Sequence, residues 1–227
     1  MDLQLREKAI FETLKKLENA SFVLIGGYAV NTYTLPRFSV DCDIVVLDQK
    51  ATAHIAKMMK DEGYDQVDTQ ARASYGGTFS RFEKTLQNNF KVSMDLLTGS
   101  VHDRQSGSSF TAEWIFDHAS KRKLKGKTIY DDVTLHIINL DALIVMKFVS
   151  ARSTDIRDVF MLLPSAKNTA WIKQEVHART DFKKRFELIK KKVTSPSFRN
   201  DLQGVYGSVN KTTFEKHVRA VLSLSNP

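Results

Sequence analysis

Two aspartates one residue apart, Asp41 and Asp43, interrupt the apolar run VDCDIVVL and constrain what this chain can fold into more than anything else in it. The run has the β-branched content and length of a strand, and on a strand residues i and i+2 point to one face. The two carboxylates therefore stand side by side while Cys42 and Ile44 face the other way. Neighbouring anions in an apolar strand repel, and burying either is costly unless something compensates. A divalent cation is the natural compensation, because Mg²⁺ takes one or two carboxylates together with water and phosphate oxygens. A third acid, Asp95, lies in FKVSMDLL, whose alternation runs through Val92, Met94 and Leu96. Asp65 and Asp68, on an extended segment over 64–69, are the alternative sources of a third carboxylate.

What precedes the acid pair sharpens the reading. The apolar SFVLI predicts a short buried strand ending at Gly26-Gly27, and YAVNTYT a short helix stopped by Leu35-Pro36. A backbone without Cβ atoms lets phosphate oxygens approach closely, and a helix start offers unpaired N–H donors. A phosphate seat, then a metal pair, then a third acid on a later strand is an arrangement suited to phosphoryl chemistry.

The rest of the chain divides in two. Residues 3–18 predict an amphipathic helix through Leu3, Ile10, Phe11, Leu14 and Leu17, and ATAHIAKMMKDEG a second one closed by Gly63. TFSRFEKT and FKVSMDLL read as strands, 99–109 as a polar loop, TAEWIFDHA as a short helix, and KLKGKTIY with DVTLHII as a hairpin. From Asn139, a candidate N-cap, the pattern turns helical and stays so. The expectation is an α+β domain over 1–138 and a helical domain over 139–227. The charge divides at the same place: residues 1–138 carry 18 basic and 18 acidic side chains, residues 139–227 carry 16 and 8. The whole net charge of +8 thus falls on the helical part, above all on DFKKRFELIKKKV, as a basic footprint for an anionic partner such as RNA or as a lysine-rich solubilising face.

Other classes are less well served. Cys42 is the single cysteine, which leaves no internal disulfide or cysteine zinc site and reads as a small buried residue. The six histidines show no metal-ligand spacing. The longest apolar runs, FVLI and ALIVM, fall far short of a membrane span, and MDLQLREKAI lacks the order of a signal peptide, so the expected setting is the cytoplasm, away from membranes.

The stretch GGYAVNTYTLPRFSVDCDIVV resembles the signature of the polymerase-beta-like nucleotidyltransferase superfamily, and most of all its minimal, AbiEii-type toxin branch. There a Gly-Gly or Gly-Ser turn is followed by Arg-x-Ser/Thr-x-Asp-x-Asp, here Arg37, Ser39, Asp41 and Asp43. LDALIVMKFVSARSTDIRDV resembles the later helical motif, with Lys147, Arg152, Asp155 and Asp158. The resemblance covers roughly residues 22–162.

It implies a nucleotidyltransferase-like mixed β-sheet with flanking helices, followed by a C-terminal helical domain. It further implies that Gly26 and Gly27 hold the triphosphate of an NTP, and that Asp41, Asp43 and Asp95 are the catalytic and metal-binding acids of a two-Mg²⁺ site. Asp95 would also accept the proton of the attacking hydroxyl. Arg37, Lys147 and Arg152 would meet nucleotide phosphate, with Asp155 and Asp158 orienting Lys147 or Arg152. The expected activity is transfer of NMP to a hydroxyl acceptor, RNA or tRNA first, in a toxin-type enzyme with an antitoxin partner. The alternative is a catalytically silent nucleotide- or RNA-binding module of a toxin–antitoxin-like pair. Small-molecule modification in the manner of aminoglycoside nucleotidyltransferases is a third, lesser expectation.

Overall fold

Val23–Ile25 (β1) and Asp41–Val46 (β2) pair antiparallel inside a seven-stranded mixed sheet, in a computed structural model that describes residues 2–67, 79–131 and 133–225. Asp65–Val67 (β3), Phe79–Thr85 (β4) and Lys91–Thr98 (β5) lie on one side of β2. On the other side of β1 lie Val133–Ile138 (β9) and Ala119–Leu124 (β8), so the order is β3-β4-β5-β2-β1-β9-β8. The pairs β2/β5 and β1/β9 are parallel and the rest antiparallel. Two further short strands, Ser100–His102 (β6) and Ser109–Thr111 (β7), pair with each other within what reads from sequence as a polar loop.

The register explains the mixed polarity of these strands. Cys42 faces Met94, which faces Phe82, and Ile44 faces Leu96 and Leu24, which faces Ile137. All seven are at most 1% exposed and form one apolar face across five strands. The residues between them belong to the opposite face, where the acids stand. Asp2–Leu17 (α1) adds Ile10, Phe11, Leu14 and Leu17 to the core, and Gln49–Asp61 (α3) adds Ile55 and Met59. Asp48 caps α3 by accepting from Ala51 N–H at 2.8 Å. Gly26–Asn31 (α2) starts at the first glycine of the pair, two residues before the predicted start. Ala112–Asp117 (α4) has Thr111 as its N-cap, accepting from Trp114 N–H.

One polar contact closes this unit on itself. Glu7, on α1 and 1% exposed, accepts from Lys127 N–H at 2.6 Å and, on its other oxygen, from Thr128 N–H at 2.7 Å and Thr128 Oγ1–H at 2.6 Å. Glu7→Ala strands two backbone donors, and a loss of about 2–3 kcal/mol is expected in urea melts. Glu7→Gln, which keeps one acceptor oxygen, should fall between the two. The hairpin that Glu7 grips differs from expectation: its first strand is ASKRKL rather than KLKGKTIY, and 125–131 form the connection.

The chain divides into two units by its contacts. The first is Met1–Thr32, Pro36–His102 and Phe110–Ile138, and the second is Tyr33–Leu35, Asp103–Ser109 and Asn139–Pro227. The second unit is helical: Leu140–Ser150 (α5), Ser153–Leu162 (α6), Thr169–His177 (α7), Phe182–Val193 (α8), Phe198–Tyr206 (α9) and Lys211–Leu222 (α10). Asn139 occupies the N-cap position of α5, though its side chain makes no capping bond. Asn168, Asp181 and Asn210 do cap the starts of α7, α8 and α10. Aromatic rings tie the bundle, with Phe148 stacked on Phe182 at 5.2 Å and Phe160 edge-on to Phe198 at 5.1 Å. Helix α9, over FRNDLQGVY, has only Phe198 and Leu202 fully buried. Among the described residues, no helix is long and apolar enough to cross a membrane.

Candidate active site

The sheet register places the acids in rows. Arg81 on β4 faces Asp95 on β5, Asp95 faces Asp43 on β2, and Asp43 faces Ile25 on β1, the residue before the glycine pair. One step along the same face, Glu83 faces Ser93 and Ser93 faces Asp41. Asp41 and Asp43 are half-buried, whereas Asp95 is 6% exposed. The pair thus sits between two hydrogen-bonded neighbour strands rather than at a sheet edge. Cys42, pointing the other way, is fully buried. Burial pushes its thiol up, with the negative charges of Asp43, Asp95 and Asp41 adding to the effect, so it stays protonated and unreactive.

The glycine pair is shaped by the acid motif that follows it. Gly26 has a φ of +67°, in the left-handed region. A methyl group there would overlap Asp43 Oδ2 and stand 2.8 Å from Asp43 Cγ. A methyl at Gly27 would overlap Ser39 Oγ, stand 2.9 Å from Ser39 Cβ and 3.3 Å from Arg37 Nη2. The motif loop is therefore folded over the turn, with Asp43 seated at Gly26 and Ser39 and Arg37 at Gly27. Asn31, fully buried at the end of α2, fixes that loop: it accepts from Arg37 N–H at 3.0 Å and donates to Arg37 O at 2.8 Å. Arg37 Nη1 also donates to Phe38 O at 3.1 Å.

Arg81 dominates the electrostatics of the acid row. Its Nε and Nη2 donate to Asp95 Oδ1 and Oδ2 at 2.8 and 2.7 Å, a two-point fork on one carboxylate. Nη2 also lies 3.6 Å from Asp41 Oδ1, which accepts from Ser93 Oγ–H at 2.5 Å. Burial raises the proton affinity of Asp95, Arg81 opposes it, and the net direction is upward. Glu83 is engaged separately by Lys91 at 2.9 Å. Among the described residues, no three His, Cys, Asp or Glu side chains are grouped closely enough to hold one metal ion. Asp65 is exposed on edge strand β3, facing Glu83 across to β4, and Asp68 lies outside the described residues.

The residues of the later motif belong to the second unit. Lys147 Nζ on α5 donates to Asp155 Oδ1 at 2.7 Å and lies 3.0 Å from Asp158 Oδ2. Ser150 Oγ–H donates to Asp155 Oδ2 at 2.7 Å. The lysine side chain is 14% exposed and Asp158 fully buried, so this is an interior ion cluster. Ala151, with a φ of +49°, makes the left-handed turn that brings the start of α6 back toward the end of α5. Arg152 turns elsewhere, with Nη2 donating to Asp103 Oδ1 at 2.8 Å. Asp103 also accepts from Ser106 N–H and Oγ–H. Burial would raise its proton affinity, but those hydrogen bonds and the Arg152 charge win, and it lies below the ordinary carboxylate range.

The structure thus brings Gly26, Gly27, Arg37, Asp41, Asp43 and Asp95 together in the first unit, and gathers Lys147 with Asp155 and Asp158 in the second. Arg81, Ser93 and Asn31 are functional candidates that sequence reasoning missed. For Arg81 the only available signal was a cation on the solvent-side phase of FSRFEKT, one strand before Asp95.

No family model matches the chain, and no curated protein sequence matches it. Solved structures do. The chain is similar to JHP933 from Helicobacter pylori, with a TM-score of 0.56 and 15% identity over 98% of this chain and 91% of that one. It is also similar to a proposed nucleotidyltransferase from H. pylori, with a TM-score of 0.53 and 13% identity over 97% of this chain and 93% of that one. At such identities the likeness lies in the backbone, and it shows the fold: this chain is built on the α+β architecture of nucleotidyltransferase-like proteins.

Proposed function

We propose that the chain is a Mg²⁺-dependent nucleotidyltransferase that moves NMP from an NTP to a hydroxyl acceptor, with RNA, and tRNA first, as the acceptor class. The observation that carries this reading is the row Asp95–Asp43, with Asp41 beside it, on one sheet face and closed against the glycine turn at Gly26. Asp41 and Asp43 are half-buried on one face, which suits an oxygen-ligated cation. When bound, that ion supplies positive charge to the triphosphate.

In the reaction the acceptor oxygen bonds to the α-phosphorus, the bond from that phosphorus to the bridging oxygen breaks, and pyrophosphate leaves with the electron pair. The hydroxyl proton passes to a carboxylate, and the raised proton affinity of Asp95 suits it for that part. Arg37, held over Gly27, offers a guanidinium to phosphate. Lys147 and Arg152 keep phosphate-binding parts by resemblance, and each is steadied by carboxylates within its own unit. The exposed Lys183, Lys184, Lys190 and Lys191 of α8 support a nucleic-acid partner. A cytoplasmic, toxin-type enzyme with an antitoxin partner completes the proposal.

The test is incubation with each labelled NTP and total cellular RNA. Asp41→Ala/Asp43→Ala should stay folded and lose labelling by about 10³-fold or more, the scale of removing a principal charge-stabilising group. Equal labelling by the double variant sinks the enzyme reading. The grip of Arg81 on Asp95 favours a second reading, a silent RNA-binding module. It predicts no labelling with any NTP, and RNA binding that is independent of Mg²⁺ and falls steeply with salt.

A further inference from the structure

Three carboxylates on one face carry three negative charges, and one compensating cation is already built into the chain. Arg81 holds both oxygens of Asp95 and reaches toward Asp41 at 3.6 Å. Its own strand position is fixed by the register Arg81↔Asp95, in the same row as Asp43. A metal ion at Asp95 would either sit against a guanidinium bound to the same carboxylate or displace it. The first is repulsive, and the second breaks a two-point bond to a nearly buried acid. With Arg81 in place, the three acids keep two negative charges, which one divalent cation neutralises.

We infer that this site takes a single divalent cation, on Asp41 and Asp43, and that Arg81 stands in for a second ion at Asp95. The inference rests on the cation-dependent reading above and changes its ion count. Arg81 is a positioning residue: it holds Asp95 and keeps a second ion out.

The count is read directly by titrating the full chain with Mn²⁺ alone and following free Mn²⁺ by electron paramagnetic resonance. The wild-type chain should bind one ion, Asp41→Asn should abolish that binding, and Arg81→Gln should raise the count to two. Thermal melting gives an independent readout, since Mn²⁺ should raise the melting temperature of Arg81→Gln more than that of the wild type. Two ions on the wild type, or one on a folded Arg81→Gln, overturns the inference and leaves the transfer reading standing. No ion on the wild type with or without an unreactive NTP analogue removes both. Should Arg81→Gln fail to fold, Arg81→Lys decides: the charge persists, the count should stay at one, and a count of two overturns the inference.

Discussion

Gly26→Ala is expected to lose the proposed nucleotide transfer and to lower the melting temperature of the chain by about 6 °C or more, corresponding to about 3 kcal/mol. Two costs combine. The left-handed backbone at φ +67° costs an alanine about 1–2 kcal/mol. The added methyl also overlaps Asp43 Oδ2, and Asp43 cannot retreat without leaving its place beside Asp95. Gly27→Ala separates the two effects, because Gly27 has no positive φ and meets only the side chains of the motif loop. Its damage should be largely repaired by Ser39→Gly, which removes the Oγ and Cβ that the methyl strikes. No partner substitution should repair Gly26→Ala fully, since the backbone cost remains. Calorimetry of the two single variants and the Gly27→Ala/Ser39→Gly double variant checks this, and full repair of Gly26→Ala by Asp43→Gly would refute it.

Lys147→Met carries the other large expected effect. Removing the ammonium leaves Asp155 and Asp158, both buried, without the cation they share. Breaking a buried ion pair in this way costs about 3–5 kcal/mol, because the remaining charges stay desolvated. Adding Asp158→Leu should return part of that loss, so the double variant should be more stable than the sum of the single effects predicts. A surface pairing behaves differently: it costs about 0.3–0.5 kcal/mol and adds simply. Urea melts of the two single variants and the double variant distinguish them.

The parts of this architecture that were legible in the sequence are those written in local periodicity. The alternation in VDCDIVVL and FKVSMDLL placed Asp41, Asp43 and Asp95 on strands, and the 3.6-residue pattern marked the helices after Asn139. The resemblance implied that Asp155 and Asp158 orient Lys147 or Arg152, but not that Ala151 would turn left-handed and bury the lysine pairing. What stayed hidden depends on register between distant segments. Arg81 looks like any surface cation until β4 is paired with β5, and Ser39 looks incidental until its loop lies on Gly27. ASKRKL escaped because four of its six residues are polar, as expected for a strand at the end of the sheet order. Residues 33–35 and 103–109 share contacts with the helical unit, although nothing in their composition separates them from their neighbours.

The carboxylate of Glu7 carries a consequence for how the chain matures. Its partners lie 120 and 121 residues further along the chain, so α1 gains this polar anchor only after most strands of the sheet have been synthesised. Before α3 and β5 are made, the stripe of Ile10, Phe11, Leu14 and Leu17 lacks elements it packs against, a sticky surface on a nascent polypeptide. The Glu7 clasp is therefore a late contact of the first unit, joining α1 to a connection made more than a hundred residues after it.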